Sequence, residues 1–533
     1  MKKILSVCVC FMLLITALTG CGNNTGKSAV NVSNKNKIKT LNLAVGAELT
    51  TLYPLNMDEQ NLSATRLCYE GLVNYVDGKI VPWLAKSWEL SDDGCTLTFK
   101  LRDDVTFHDG KKFNAESVKV NFESKSKNPN FRAYPAVVNL KEIKVLDDYT
   151  VAFHYDQPFF GYLTDFSFRE IMVCVSPDVI EKDNFQTMKG VVGTGPYIYK
   201  EVKKGEYVKF VRNDNYWGKK PYYDEIYVKY IPEAASRLLA LQKGEIDMIY
   251  GSGLITWDDF KQATANKNIK GVVSPVDSKT TYLILNAANQ ALKEKEVREA
   301  ISYGIDKQAI CDGLTYGNQK IAEDMFPDGN FISDIKLNTV RKYDKAKAIK
   351  ILEDANWKVN EKTGFREKDG IALSFKLNYN SGDVINKMLS GTIKSQLKEL
   401  GINAETEGQD MMTWWKEGVA GNYGIIIWGT EENTAPHINF PKMLNSSPHT
   451  PSLKALNGSD QVFNAINKLQ TTKDTEHAKE LYSMILNYSN DNVLEIPLYY
   501  TKDMILFNAN KIANYTFTNT PVMFEIDNIK PVE

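Results

Sequence analysis

The chain has 533 residues, 43% hydrophobic and 24% charged, with a formal net charge of −2 spread over interspersed signs. That balance belongs to a water-soluble globular body and implies no nucleic-acid partner, since phosphates call for a basic surface. Beyond Lys37 about 495 residues remain, too many for one hydrophobic core, so two or three lobes are expected.

At the N-terminus, Lys2 and Lys3 precede an apolar run, Ile4 to Leu18, that is short for a bilayer span. The run ends in Leu18-Thr19-Gly20-Cys21, which resembles the bacterial lipobox. The expectation is a lipoprotein signal peptide over 1–20, acylation of Cys21, and a polar Asn-, Ser- and Lys-rich tether over 21–37. A two-chain lipid anchor holds a protein at the extracytoplasmic face of a membrane without a spanning helix. Cys68, Cys95, Cys174 and Cys311 follow, widely spaced and without a Cys-x-x-Cys pair. They read as buried free thiols, with one disulfide left open and a metal cluster disfavoured.

Along the body, Thr40 to Val45, Thr96 to Arg102, Val145 to His154 around an Asp-Asp turn, and Glu206 to Val211 alternate as strands do. Helical spacing marks Ala115 to Glu123, Ala234 to Lys243, Glu296 to Tyr303, Lys345 to Ala355, Val384 to Leu400 (stopped by Gly401) and His477 to Asn487. The mixture predicts α/β or α+β lobes. Asp92-Asp93-Gly94 and His108-Asp109-Gly110 read as turns, the latter not as a metal site. Gly193-Thr194-Gly195-Pro196 lacks the Lys-Ser/Thr and helix of a phosphate loop and reads as a tight corner between lobes.

Several of these stretches carry a resemblance. WLAKSWELSDDGCTLTFKLRDDVTFHDG over 83–110 resembles the signature of family 5 extracellular solute-binding proteins, the receptors of peptide and nickel ABC importers. Further matches are Tyr69-Glu70-Gly71-Leu72, Gly193 to Tyr197, Arg212 to Gly218, Gly244-Glu245-Ile246-Asp247, Asn286 after Leu283-Ile284-Leu285, and Val297-Arg298-Glu299-Ala300. The resemblance runs from Leu41 to the C-terminus. It implies a mixed α/β, type II periplasmic-binding-protein-like fold: two lobes plus an inserted subdomain, hinged at two crossovers, with ligand enclosed on closure. The implied limits are a base lobe of 38–82, 200–282 and 499–533, an inserted subdomain of 83–199 and a distal lobe of 283–498. The implied partners are an ABC permease and its ATPase, a small-molecule chelate or short peptide, and the membrane through the anchor. The receptor is expected to be a monomer with no cofactor of its own.

Two branches of the resemblance compete for the ligand. Peptide receptors carry W-x-x-D-Y-x-D-P after the strand matching Ile425 to Ile427, whereas here Trp428-Gly429 leads through Glu431 and Glu432 to Pro436-His437. The Trp-Gly and Pro-His landmarks, VPWLAKSW at 81–88, LRDDV at 101–105 and IKPV at 529–532 resemble the nickel-binding branch. In that branch an imidazole joins a chelated Ni²⁺ and a guanidinium meets the chelator's carboxylates, pairings that suit a borderline metal and a bidentate anion. Among five histidines, His449 falls at the liganding position and His437 nearby, each also readable as a surface-loop histidine. Arg169 is the expected carboxylate partner. Tyr134 stands where the branch has a cleft tryptophan, Arg132 two residues before it, and Met57 where it has a tyrosine; with Trp428 and Glu432 these complete the expected binding set. Trp414 and Trp415 are readable either as pocket aromatics or as helix packing. No Gly-x-Ser-x-Gly, His-Glu-x-x-His or nucleotide loop occurs, and the adjacent Glu431 and Glu432 point apart on an extended loop, so catalysis is not expected.

Overall fold

The computed structural model describes residues 38–49, 52–54, 59–77, 79–132, 134–168, 172–183, 185, 187–250, 253–277, 279–327, 332–429, 440–444, 446–517 and 525–532. The expected disposition of Met57, Arg169, Glu432, His437 and Cys21 lies outside these residues.

Alternation of apolar side chains places the opening strand Thr40–Val45 inside a sheet, with Leu41 and Leu43 buried. It pairs in parallel with Glu225–Tyr230, bringing Leu41 opposite Ile226 and Leu43 opposite Val228. The sheet has seven strands in the order Tyr197–Lys203, Tyr207–Arg212, Glu225–Tyr230, Thr40–Val45, Met248–Ile249, Met504–Asn508, Ile269–Val273. A second, six-stranded sheet runs Lys320–Ile321, Glu495–Thr501, Lys279–Leu285, Ile425–Gly429, Ser374–Asn380, Asn403–Gln409. The chain passes between these two sheets twice, between Val273 and Lys279 and between Thr501 and Met504.

Between the first and later strands of the seven-stranded sheet lies a four-stranded antiparallel sheet, Ala85–Leu90, Thr96–Leu101, Thr150–Tyr155, Leu140–Asp147. Its core is aromatic: Phe99, Phe122, Phe153 and Phe166 meet edge to face or tilted, with centroids 4.9 Å apart in three of the pairs. The helix Ala115–Lys127 packs there, started by an Asn114–Ser117 capping box that satisfies two otherwise orphaned donors. Expected and observed elements coincide closely, Thr40–Val45 and Ala234–Lys243 to the residue. Gly401, at φ +78°, turns the chain after the helix Val384–Lys398 in a conformation that suits glycine. Cys68, Cys174 and Cys311 are buried and Cys95 half-buried, all four as free thiols.

The separate sequence matches converge on one carboxylate. Glu70 is fully buried and accepts from Trp83 Nε1 (3.0 Å) and Tyr216 OH (2.7 Å) on Oε1, and from Thr194 Oγ1 (2.7 Å) and Trp217 Nε1 (2.8 Å) on Oε2. Burial pushes its carboxyl up to about 7, against the four donors. The expected corner at 193–196 lies here: a Cβ on Gly193 would stand 2.1 Å from the Cys68 carbonyl oxygen, so only glycine admits this approach. Asn213 seals the corner by donating to Gly195 O at 3.1 Å. Glu70 thus ties both junctions of the inserted segment to the seven-stranded sheet.

Candidate ligand-binding pocket

The strands Lys279–Leu285 and Ile425–Gly429 pair antiparallel, and alternation sends their side chains to opposite faces. Leu283, Leu285, Ile425 and Ile427 join the main core of this sheet, while Tyr282, Ile284, Ile426 and Trp428 form a smaller cluster on the other face. Over that second face lies a pocket with about 610 Å³ of empty space, part of it open to solvent. Tyr282, Trp428, Trp415, Met325 and Phe440 supply apolar walls, and Lys442, Ser447, His449 and Glu495 supply polar groups.

Trp428 is held by Trp414, whose ring stacks on it at 4.0 Å and 20°. Trp414 and Trp415 sit on the helix Met411–Ala420, started by Asp410 accepting from Thr413 N and ended at Gly421 with φ +79°. This helix approaches the His449 turn closely, since a Cβ on Gly418 would meet Pro448 Cγ at 2.9 Å. Both readings of the tryptophan pair hold: Trp414 packs, and Trp415 lines the pocket.

His449 opens the short helix His449–Lys454 and is buried in the pocket wall. Nδ1 lies 2.8 Å from Ser447 Oγ, and the ring is stacked on Tyr282 at 6.1 Å and 24°. Nε2 lies 3.0 Å from Glu495 Oε1, with the two side chains only 4% and 6% exposed. The contact is off the direction of a hydrogen bond, which leaves Nε2 without a hydrogen-bond partner. Glu495 begins its strand two residues after Val493, a buried β-branched residue at φ +51°. This conformation costs roughly 1–3 kcal/mol. The turn is fixed by the buried Arg298, whose Nε donates to Asn492 O at 2.9 Å.

Of the residues expected from the sequence, the structure brings Trp428 and His449 into this one pocket. Tyr134 is buried in the inserted segment, its ring 5.6 Å from that of Phe168 and 6.1 Å from that of Phe131. Arg132 is exposed on the turn beyond Pro129–Phe131. Sequence reasoning missed Tyr282 and Glu495. The signal for Glu495 was available: a carboxylate opening the apolar run Ile496-Pro497-Leu498-Tyr499 needs a partner once buried. His108 and His154 take structural roles, His108 Nε2 lying 2.9 Å from Gly195 O and His154 Nδ1 3.0 Å from Thr96 Oγ1. Among the described residues no three His, Cys, Asp or Glu side chains gather as a metal site.

Residues 79–452 match the sequence model of the bacterial extracellular solute-binding proteins, family 5. The nickel-binding periplasmic protein of Escherichia coli (strain K12) is 30% identical over 505 residues, covering 91% of this chain and 95% of that protein. The oligopeptide-binding protein AppA of Bacillus subtilis (strain 168) is 29% identical over 335 residues, 61% of this chain and 60% of its own length. NikA from Brucella suis, crystallised in complex with Fe(III)-EDTA, superposes with a TM-score of 0.86 at 29% identity, covering 92% of this chain and 100% of that one. Such proteins are transport receptors of ABC importers, not enzymes, and share a mixed α/β, two-lobe type II fold. With a match over most of its length and a fold to correspond, this chain belongs to family 5 of the bacterial extracellular solute-binding proteins.

Proposed function

We propose that the protein is a lipid-anchored receptor that captures chelated nickel in the aromatic pocket and delivers it to an ABC permease. The observation that carries this reading is the pair His449 Nε2 and Glu495 Oε1, 3.0 Å apart in the buried wall of the pocket, with Nε2 lacking a hydrogen-bond partner. Two donors bound to one first-row metal ion at about 2.1 Å and at right angles stand about 3.0 Å from each other. An imidazole and a carboxylate are two ligands only, and no third protein donor gathers there among the described residues. The remaining coordination positions suit a chelator that arrives with the ion, over whose ligands Trp428 and Trp415 would lie. Similarity to the Escherichia coli nickel-binding protein supports the same reading. Arg169, His437, Glu432 and Met57 are proposed around the chelate, with Tyr134 and Arg132 behind them. Closure would turn on the two passages between the sheets, after Val273 and after Thr501.

A second reading, an oligopeptide receptor, draws on the same Glu495: a buried carboxylate in an apolar pocket also suits a peptide ammonium. Similarity to AppA supports it. Titrating wild type, His449→Ala and Glu495→Gln with Ni²⁺ plus free histidine, and separately with short peptides, decides between them by tryptophan emission. Nickel binding lost in both variants is the expected result. Peptide binding that needs Glu495 and ignores His449 would transfer the assignment to the second reading.

A further inference from the structure

A second cavity, with about 470 Å³ of empty space, lies where the two lobes are joined. It shares no lining residue with the aromatic pocket. One wall is the base-lobe turn Gly253 to Ile255, and another is the distal-lobe segment around Asp383. Lys279 and Thr281 come from one crossover strand, Tyr499 and Thr501 from the other. The two strands are stitched by a Thr281–Thr501 hydroxyl bond of 2.9 Å. Thr281 and Tyr282 are neighbours on one strand, so the two cavities lie on opposite faces of the sheet.

The polar groups here are arranged for something other than each other. Gln319 is 4% exposed, lines the cavity, and has no hydrogen-bond partner at either Nε2 or Oε1. A buried carboxamide left unpaired at both ends is costly, because each end has given up its hydrogen bonds to water. Asp383 packs against Gly253, where a Cβ would stand 3.1 Å from its carboxyl carbon, and its Oδ1 accepts from Ile385 N at 2.9 Å. Burial pushes its carboxyl up, and Lys279 pulls it down. Yet Lys279 and Asp383 face the same cavity without forming an ion pair, and neither has an ion-pair partner among the described residues. A single ion would satisfy one of these charges and repel the other.

We propose that this hinge cavity is a binding site for a small zwitterion of the α-amino-acid class. Its ammonium pairs with Asp383 and Gln319 Oε1, and its carboxylate with Lys279 and Gln319 Nε2. One such molecule closes an open charge pair and satisfies both ends of the orphaned amide, and it touches base lobe, distal lobe and both crossovers at once.

The test is calorimetric titration of the full-length protein in detergent with glycine, L-alanine and L-glutamine, and with N-acetyl-L-alanine amide as a neutral control. Saturable heat is expected with at least one free amino acid and none with the blocked one. Gln319→Met, close in size, and Asp383→Asn, which keeps the helix cap, should each weaken binding roughly tenfold or more. Trp428→Ala, in the other pocket, should leave it unchanged. If Gln319→Met fails to fold, Asp383→Asn carries the test alone. Absence of saturable heat up to about 10 mM of every amino acid overturns the proposal, as does binding abolished by Trp428→Ala and indifferent to Gln319→Met and Asp383→Asn.

Discussion

Replacing Glu70 by glutamine tests whether burial or hydrogen bonding governs the carboxylate at which the sequence matches meet. Each carboxylate oxygen accepts one indole N–H and one hydroxyl. The hydroxyls of Tyr216 and Thr194 can rotate to accept from an amide, but an indole N–H cannot. Whichever oxygen the amide nitrogen replaces, Trp83 or Trp217 is left as a buried unpaired donor, at a cost of about 1–3 kcal/mol. Glu70→Ala orphans both indoles and should cost about 2–6 kcal/mol before any cavity contribution. The pH dependence discriminates further. Glu70 is held at about 7 in the folded protein, above its ordinary 4.5, so the folded state keeps its proton where the unfolded chain releases it. Stability from this group is full below 4.5 and lost as pH rises through about 7, a change worth about 3 kcal/mol. The glutamine variant has no such loss. Its deficit should therefore be largest near pH 5 and shrink or reverse near pH 8. Urea unfolding followed by tryptophan emission, to which Trp83 and Trp217 contribute, measures this at each pH. A deficit that grows from pH 5 to pH 8 would refute the reasoning, because the four donors would then outweigh burial.

Gly193→Ala places a Cβ against the Cys68 carbonyl and should destabilise by about 3 kcal/mol or more; a melting temperature within a degree or two of wild type would contradict the close approach. Labelling cells with a fatty-acid probe should mark wild type and not Cys21→Ala, and equal labelling would remove the proposed anchor. Small-angle scattering should show a smaller radius of gyration with Ni²⁺–histidine than without, because a ligand that favours the closed state shifts the hinge population; an unchanged radius with a bound chelate would deny hinge closure.

Much of the architecture was legible because it is written locally. Thr96–Leu101 alternates against one face, and Ala234–Lys243 ends at a glycine in the left-handed region. The Glu70 centre was legible only as scattered matches, since its donors stand 13 to 147 residues away and no local pattern reveals that they meet. In the pocket, His449 and Trp428 are singled out through family resemblance, and both line its wall. Tyr282 was hidden because its strand is apolar on both faces, which erases the alternation that marks an inward-facing residue. Tyr134 shows the opposite difficulty: its position was read by correspondence with a cleft aromatic, and its ring packs with Phe131 and Phe168. The orphaned amide of Gln319 has no sequence signature at all, because it is defined by partners that are not there.

The place of Met504–Asn508 in the seven-stranded sheet bears on how the chain is made. This strand lies between Met248–Ile249 and Ile269–Val273, and it is the strand through which Ile269–Val273 joins the sheet. It is made long after its two neighbours in the sheet. Until then the base lobe lacks an interior strand, and its earlier strands present an open edge across some 230 residues of intervening chain. Such long-range closure slows folding, so a nascent chain remains unable to complete its base lobe until this strand has been made. That delay leaves the open edge exposed to aggregation in any chain whose synthesis stalls before this strand.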